Sequence, residues 1–451
     1  MLTDNIDSLS SVRLVGVSSS LHDLIKSLLF PLPHTRSSAE MPSVGNLLYY
    51  SAVVAWSAAV YQFLIKDILT VGLGLGRVIQ SIDEFPYSCQ RIEHPQLEAC
   101  EDLWLDGSDR TLYAACAGTR SRMAWSPAIS KLDASGRRPS GAEIVALEID
   151  SIAPNGFFSL RSIKPTGSFG AQGNAILDTV GFTGEFIDDT TIHFYFPNVP
   201  PYHGTYFDAT ELGANATVEV FEFKRGNDEM KHVRTIQSTA VWSPNRPAAV
   251  GNGDFLVTND HGAKVGWRKH LEPLIGGGTV AYCSSEGKCH SATPAPGIDI
   301  RANLKFPNGL ARGEDGLIYV PSSADGTIKV FALQPNRTLT QLHTIRVGMP
   351  LDNVSPDARG DLWVPGFPDT RQTYKGVADP YQHVSPATVF RVRKVSGAGP
   401  GELEYEVKKM VEDREGKVIS GATTVVHDVK TGRLFMGAAV SPFLVVCEPK
   451  Q

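Results

Sequence analysis

Cysteine is scarce in this chain: only 6 occur in 451 residues, and CxxC spacing is missing. That excludes a zinc ribbon and a thioredoxin-like redox site. Six is also too few for a disulfide-built scaffold, although an even count fits a few structural bridges. A basic excess is missing too: 42 Lys+Arg stand against 48 Asp+Glu, for a net charge of −6, which argues against a nucleic-acid partner. No GxSxG elbow, HExxH helix or P-loop is present, so serine-hydrolase, zincin and NTPase chemistry have no motif to rest on. The GLGLGR run at Gly72, Gly74 and Gly76 has no strand–turn–helix context and is read as the exit from the apolar segment before it, not as a dinucleotide loop.

What is present is ample for a folded body. Hydrophobic residues make up 42% and charged residues 20%, enough to bury a core. The 42 glycines and 29 prolines suit short strands joined by tight turns better than a helical bundle.

From Met41 to Ile65 no residue is charged, and about 20 apolar residues suffice to span a bilayer. The reading is a polar tail over 1–40, a signal anchor over 41–66, a linker over 67–87 and a folded body over 88–451. A cleaved signal peptide and a buried core helix are the alternatives, and translation from Met41 is another. A retained anchor would place the body in the secretory lumen or outside the cell, membrane-attached or secreted. The N-x-S/T sequons at Asn215 and Asn336 agree with that.

From about Ser88 onward one phrase keeps returning: an apolar approach, a small polar residue, a turn with Asp or Gly, then a β-prone strand. The copies begin CEDLWLDG at Cys100, GFTGEF at Gly181, SPNRPAAV at Ser243, FPNGLARG at Phe306, LDNVSPDARG at Leu351 and GATTVVHD at Gly421. Asp-Gly and Gly-Asp turns between alternating apolar runs are hairpin chemistry. Six copies at irregular spacings of roughly 45–80 residues match the blades of a propeller. No sustained helical periodicity separates them, which speaks against a parallel α/β sheet. The predicted fold is therefore all-β: a six-bladed β-propeller behind an N-terminal hydrophobic anchor helix.

A closed ring brings first and last blades side by side, so Cys89 and Cys447 are expected to bridge them. Cys283 and Cys289 are spaced for a local clip. Cys100 and Cys116 are left open, either paired or held as small buried apolar side chains.

In a propeller the innermost strand of each blade lines the central channel, so equivalent repeat positions meet near the axis. That position is taken by Glu101, Asn245, Asn308 and the Asp352–Asn353 pair. Carboxylate and amide oxygens in this number, without thiol or imidazole, suit Ca²⁺ over Zn²⁺ or Cu²⁺. The competing explanation is that Asn and Asp favour turns and strand ends anyway.

With these residues in view, the chain resembles the serum paraoxonase/arylesterase family of calcium-dependent lactonases. The likeness rests on EDL at Glu101, VTNDH at Val257, FPNGL at Phe306, LDNVS and GDLWV at Leu351 and Gly360, and the closing VVCEP. It implies a six-bladed propeller, a retained hydrophobic N-terminus and a ring-closing disulfide. It also implies a catalytic calcium on Glu101, Asn245, Asn308, Asp352 and Asn353, and a second, structural calcium that uses Asp102. That second site takes an Asp where Arg246 stands here, so a cation there would be repelled. The family's water-activating histidine dyad is missing: Gly181 or Phe182 fills the first place and Val199 the second, with His203 four residues on. His261 in TNDH matches a family histidine near the metal.

The implied activity is calcium-assisted hydrolysis of an ester or lactone, with His261 or Asp352 as the base. Two other readings stand beside it: a channel that binds an apolar metabolite and promotes a non-hydrolytic cyclisation or isomerisation, and a binding module without turnover. Phe182, Phe186, Tyr202, Tyr206, Phe367 and Tyr374 are placed at the channel mouth and point to a small apolar ligand.

Overall fold

A computed structural model describes residues 44–152, 158–204, 208–294, 303–395 and 403–450. The chain divides into two compact units, Met1–Ala59 and Val60–Gln451. In the first unit, helix Val44–Val60 carries neither an acidic first turn nor a basic last turn, and Leu48, Val54 and Trp56 stand largely exposed. The helical stretch Leu48–Gly72, 25 residues long, is long and apolar enough to cross a membrane. The expected tail over 1–40 lies outside the described residues.

The second unit is built from strands. Four four-stranded sheets stand beside one eight-stranded sheet and a two-stranded ribbon. The eight-stranded sheet divides into two antiparallel groups of four, joined where the outer strands Phe158–Thr166 and Glu229–Ile236 pair in parallel over Glu229↔Lys164 to Lys231↔Thr166. The large sheets therefore make six blades. Their inner strands are Cys100–Asp106, Thr183–Phe186, Pro244–Gly251, Ala311–Arg312, Ser355–Pro356 and Ala422–His427. Each of the six sequence repeats thus opens one blade.

The ring closes out of sequence order. Strand Tyr87–Ile92 is the outermost strand of the sixth blade and pairs with Leu444–Pro449 in register Tyr87↔Pro449 to Ile92↔Leu444. The expected Cys89–Cys447 bridge crosses that seam, and Cys100–Cys116 and Cys283–Cys289 are the other two disulfides. Three bridges suit an oxidising compartment.

Apolar cores fill the spaces between neighbouring blades. Blade 1 packs on blade 6 through Leu103, Leu112, Val145, Phe435 and Val446. An aromatic cluster of Tyr113, Phe182, Phe194, Phe196, Phe221 and Phe223 joins blades 1 and 2. The glycine-rich exit is engaged rather than loose. Arg77 donates from its guanidinium to the carbonyls of Thr70, Val71, Gly348 and Pro368.

Candidate functional site

The candidate ligands all sit at the starting ends of inner strands, so the blades deliver them to one end of the channel. Glu101 is the second residue of the blade 1 strand and Asn245 the second of blade 3. Asn308 precedes the blade 4 strand, and Asp352 and Asn353 precede blade 5. Backbone bonds fix this convergence. The Asn353 N–H donates to Thr423 O (3.0 Å), and Asn353 Nδ2 and Thr423 Oγ1 both donate to Glu101 O, at 3.3 and 2.9 Å. In FPNGL, Asn308 Oδ1 accepts from its own neighbour Gly309 N at 2.8 Å. Gly309 has to be glycine, because a Cβ there would overlap Asn353 Oδ1.

Two of these five residues hold a buried oxygen without a partner, Asp352 Oδ1 and Asn353 Oδ1, while the buried Glu101 Oε2 is met only by the Arg122 guanidinium. Buried acceptors are normally satisfied, so a set of orphans on converging side chains has the donor chemistry of a site for a hard cation. Among the described residues no group of three or more His, Cys, Asp or Glu side chains is placed to hold a metal. The fit consists of two carboxylates supplemented by amides.

Electrostatics separate the two carboxylates. Burial pushes the Glu101 carboxyl up to about 7, with Arg122 opposing and Asp102 and Asp260 adding to the rise. Arg122 Nη2 stands 3.0 Å from Glu101 Oε2 and also donates to Thr179 O at 2.8 Å. Asp352 is raised well above the usual carboxylate range, by burial first and then by Glu101 and Asp102. It has no cation in direct contact.

His261 stands beside this cluster, paired through Nδ1 with Asp260 Oδ1 at 2.9 Å and packed on Phe306 with ring centroids 4.6 Å apart. Ser243 Oγ donates to the same Asp260 oxygen. Burial pushes Asp260 up, but His261, Lys269 and Ser243 outweigh it and leave the carboxyl below its ordinary value. A carboxylate on Nδ1 fixes the imidazole and leaves Nε2 for proton transfer. Sequence reasoning passed over Asp260 although it lies within TNDH. It also passed over Arg122, for which the sequence carries no signal.

Gly181 or Phe182, and Val199, stand where the resemblance would put a histidine dyad. A Cβ on Gly181 would press on Asn245 O and Arg246, and Val199 is buried with its carbonyl accepting from Trp125 Nε1 at 2.8 Å. His203 is exposed and bonded to Asn174. Asp102 is committed elsewhere: its Oδ2 lies 2.7 Å from Arg246 Nε and accepts from Phe182 N at 3.0 Å. Thr424 Oγ1 donates to its other oxygen at 3.1 Å.

The mouth aromatics are redistributed. Phe182 is fully buried and stacked on Phe196, because the blade 1–2 core needs it. Phe186 packs on Trp104 at the opposite end, where a cavity of about 940 Å³ opens between the finishing ends of the inner strands and reaches Arg246. Phe367 is buried, Tyr374 is 64% exposed, and Tyr206 lies outside the described residues. Of the sequons, Asn336 stands in an exposed turn. Asn215 is buried, with its amide oxygen accepting from Gln237, which leaves no room for a glycan.

A ring of six blades with buried side-chain oxygens gathered at one end of its channel is a β-propeller with a candidate ligand site at that end. The family model for arylesterase matches residues 208–448, more than half of the chain, and the protein belongs to that family. It is 27% identical to serum paraoxonase/arylesterase 2 of Rattus norvegicus over 260 residues, 56% of this chain and 64% of that protein. It is likewise 27% identical to the Homo sapiens protein of the same name over 259 residues, again 64% of its length. The match thus spans just under two thirds of these relatives. Among solved structures, a luciferin-regenerating enzyme superposes with a TM-score of 0.44 at 11% identity, covering 80% of this chain and 95% of that one.

Proposed function

We propose that the protein is a calcium-dependent hydrolase of small apolar esters or lactones, working at the end of the channel where Glu101, Asn245, Asn308, Asp352 and Asn353 converge. The observation that carries this reading is the pair of unpartnered buried oxygens on Asp352 and Asn353 beside the Glu101 carboxylate. Membership of the arylesterase family supports the reaction class. Those five side chains would hold the ion, which supplies carbonyl polarisation and oxyanion stabilisation when bound.

The remaining steps fall to the chain itself. His261 Nε2 takes the proton of the attacking water, and Asp260 holds the ring tautomer and steadies the imidazolium that forms. A base placed in this way contributes typically about 10²–10⁴-fold. Arg122 holds the Glu101 carboxylate in place. Turnover is expected on a panel of lactones and aryl esters, to vanish with EDTA and to return with added calcium; a panel without any chelator-sensitive hydrolysis would refute the assignment.

Gly181 and Val199 at the dyad positions favour one second reading, a rearrangement of the bound metabolite without water. Product that carries no ¹⁸O from labelled water would establish it over hydrolysis.

We also propose a secretory location, with the apolar N-terminal stretch serving as membrane anchor and Asn336 bearing a glycan. Endoglycosidase is expected to shift the mobility of the protein made in a secretory host. Asn336→Gln should abolish that shift and Asn215→Gln leave it intact; the reverse pattern would contradict the burial of Asn215.

A further inference from the structure

The axis of the ring already contains a cation that belongs to the protein. Arg246, on the inner strand of blade 3, is 4% exposed, and Asp102, on that of blade 1, is fully buried. Their 2.7 Å ion pair lies next to the candidate calcium ligands. Blades 2, 5 and 6 are hydrogen-bonded to this pair, and blade 4 approaches it closely. Phe182, at the start of blade 2, donates its N–H to Asp102 and accepts at 3.4 Å from Arg246 Nε. Val354, at the start of blade 5, accepts from Arg246 Nη1 at 2.5 Å. Thr424 of blade 6 donates to Asp102 Oδ1 at 3.1 Å. Gly309, just before blade 4, has no side chain, and a Cβ there would crowd Arg246 Cδ.

We infer that the Arg246 guanidinium is a built-in substitute for a second axial metal, so that the channel takes at most one calcium and Asp102 takes none. A divalent ion on Asp102 would have to displace a guanidinium already in contact with that carboxylate, and would sit against its positive charge. Breaking a buried pair leaves an uncompensated charge and is strongly unfavourable. The guanidinium also offers directional donors to two blade carbonyls, which suits it to joining strands across the axis. Arg246 further lines the cavity at the far end of the channel, so it forms the floor between that cavity and the calcium end. The inference extends the proposed function, since it concerns how many ions that site shares the axis with.

The test is metal counting on the full-length protein. After exhaustive chelation and equilibrium dialysis against excess calcium, elemental analysis is expected to give no more than one calcium per chain. Asp102→Asn should leave that number unchanged while lowering the melting temperature. Arg246→Asp is expected to bind one calcium more than the wild type and to become more sensitive to chelator in thermal melts. Two calcium ions in the wild type, or loss of an ion on Asp102→Asn, would overturn the inference even if Arg246→Asp fails to fold. A count of zero that Asp102→Asn does not change supports the inference and rejects the proposed calcium site, so the two failures are told apart.

Discussion

Asparagine at position 352 is expected to cut hydrolytic turnover at least about 100-fold and at the same time to make the metal-free protein more stable. The first effect follows from the role of Asp352 as one of only two carboxylates in the candidate ligand set. An amide is a neutral and weaker ligand, and cation-based charge stabilisation in the transition state amounts to several kcal/mol. The second follows from burial. Asp352 Oδ1 receives no hydrogen bond, no cation touches it, and its proton is held well above the ordinary carboxylate range by burial and by Glu101. A neutral amide removes the cost of a buried, uncompensated carboxylate and its repulsion with Glu101.

The pH dependence has a definite sign. Glu101 holds its proton up to about 7 in the fold against an ordinary value of 4.5, and Asp352 is shifted the same way. Below the ordinary value both folded and unfolded chains are protonated, and no stability is lost. As pH rises from there toward the folded value, the unfolded chain releases protons first, so the metal-free fold weakens. Calcium held at the proposed site would restore that loss at the high end. Chelated wild type should therefore melt progressively lower from about pH 4.5 to about pH 7, and Asp352→Asn should show a shallower decline. A variant with undiminished turnover, or a chelated wild type with a flat profile over that window, would remove Asp352 from the site.

The ring was legible because its signal is local and repeated. Each copy, from CEDLW to GATTVV, encodes a strand and its turn within a few residues, and these became inner strands in all six blades. The ligand positions followed because a common register within the repeat becomes a common height along the channel. What the sequence hid was pairwise and long-range. Arg122 meets Glu101 through a short helix, Thr119–Ala124, that no repeat announces. Arg246 reads as a departure from the family pattern, and only the fold reveals Phe182, Val354 and Thr424 arranged around its pair with Asp102. Phe182 was misplaced for a related reason. The residue starting an inner strand can face either the channel or the blade interface, and the aromatic cluster with Phe194 and Phe196 settles which.

Removal of the Cys89–Cys447 bridge is expected to be the most destabilising loss of a disulfide, by up to about 6 kcal/mol in the chain-entropy account. The bridge closes a sequence separation of 358 residues, against 16 for Cys100–Cys116 and 6 for Cys283–Cys289. The same account assigns the shortest loop only about 2 kcal/mol. Geometry adds to the contrast. Both bridges join cross-strand partners, but Cys283 and Cys289 belong to one local hairpin that holds them without help. Cys89 belongs to the strand added from the start of the ring to its last blade, and six residue pairs are the backbone register of that seam. Other contacts brace the first blade against the sixth: Arg110 reaches Asp428 at 2.7 Å, and Thr424 reaches Asp102. The double variant Cys89→Ser/Cys447→Ser should therefore still fold but open its ring at lower denaturant, with early hydrogen exchange along Tyr87–Ile92. Cys283→Ser/Cys289→Ser should remain close to wild type. Equal destabilisation by the two double variants would show that the seam is held by strand pairing and the axial contacts, with the bridge contributing little to closure.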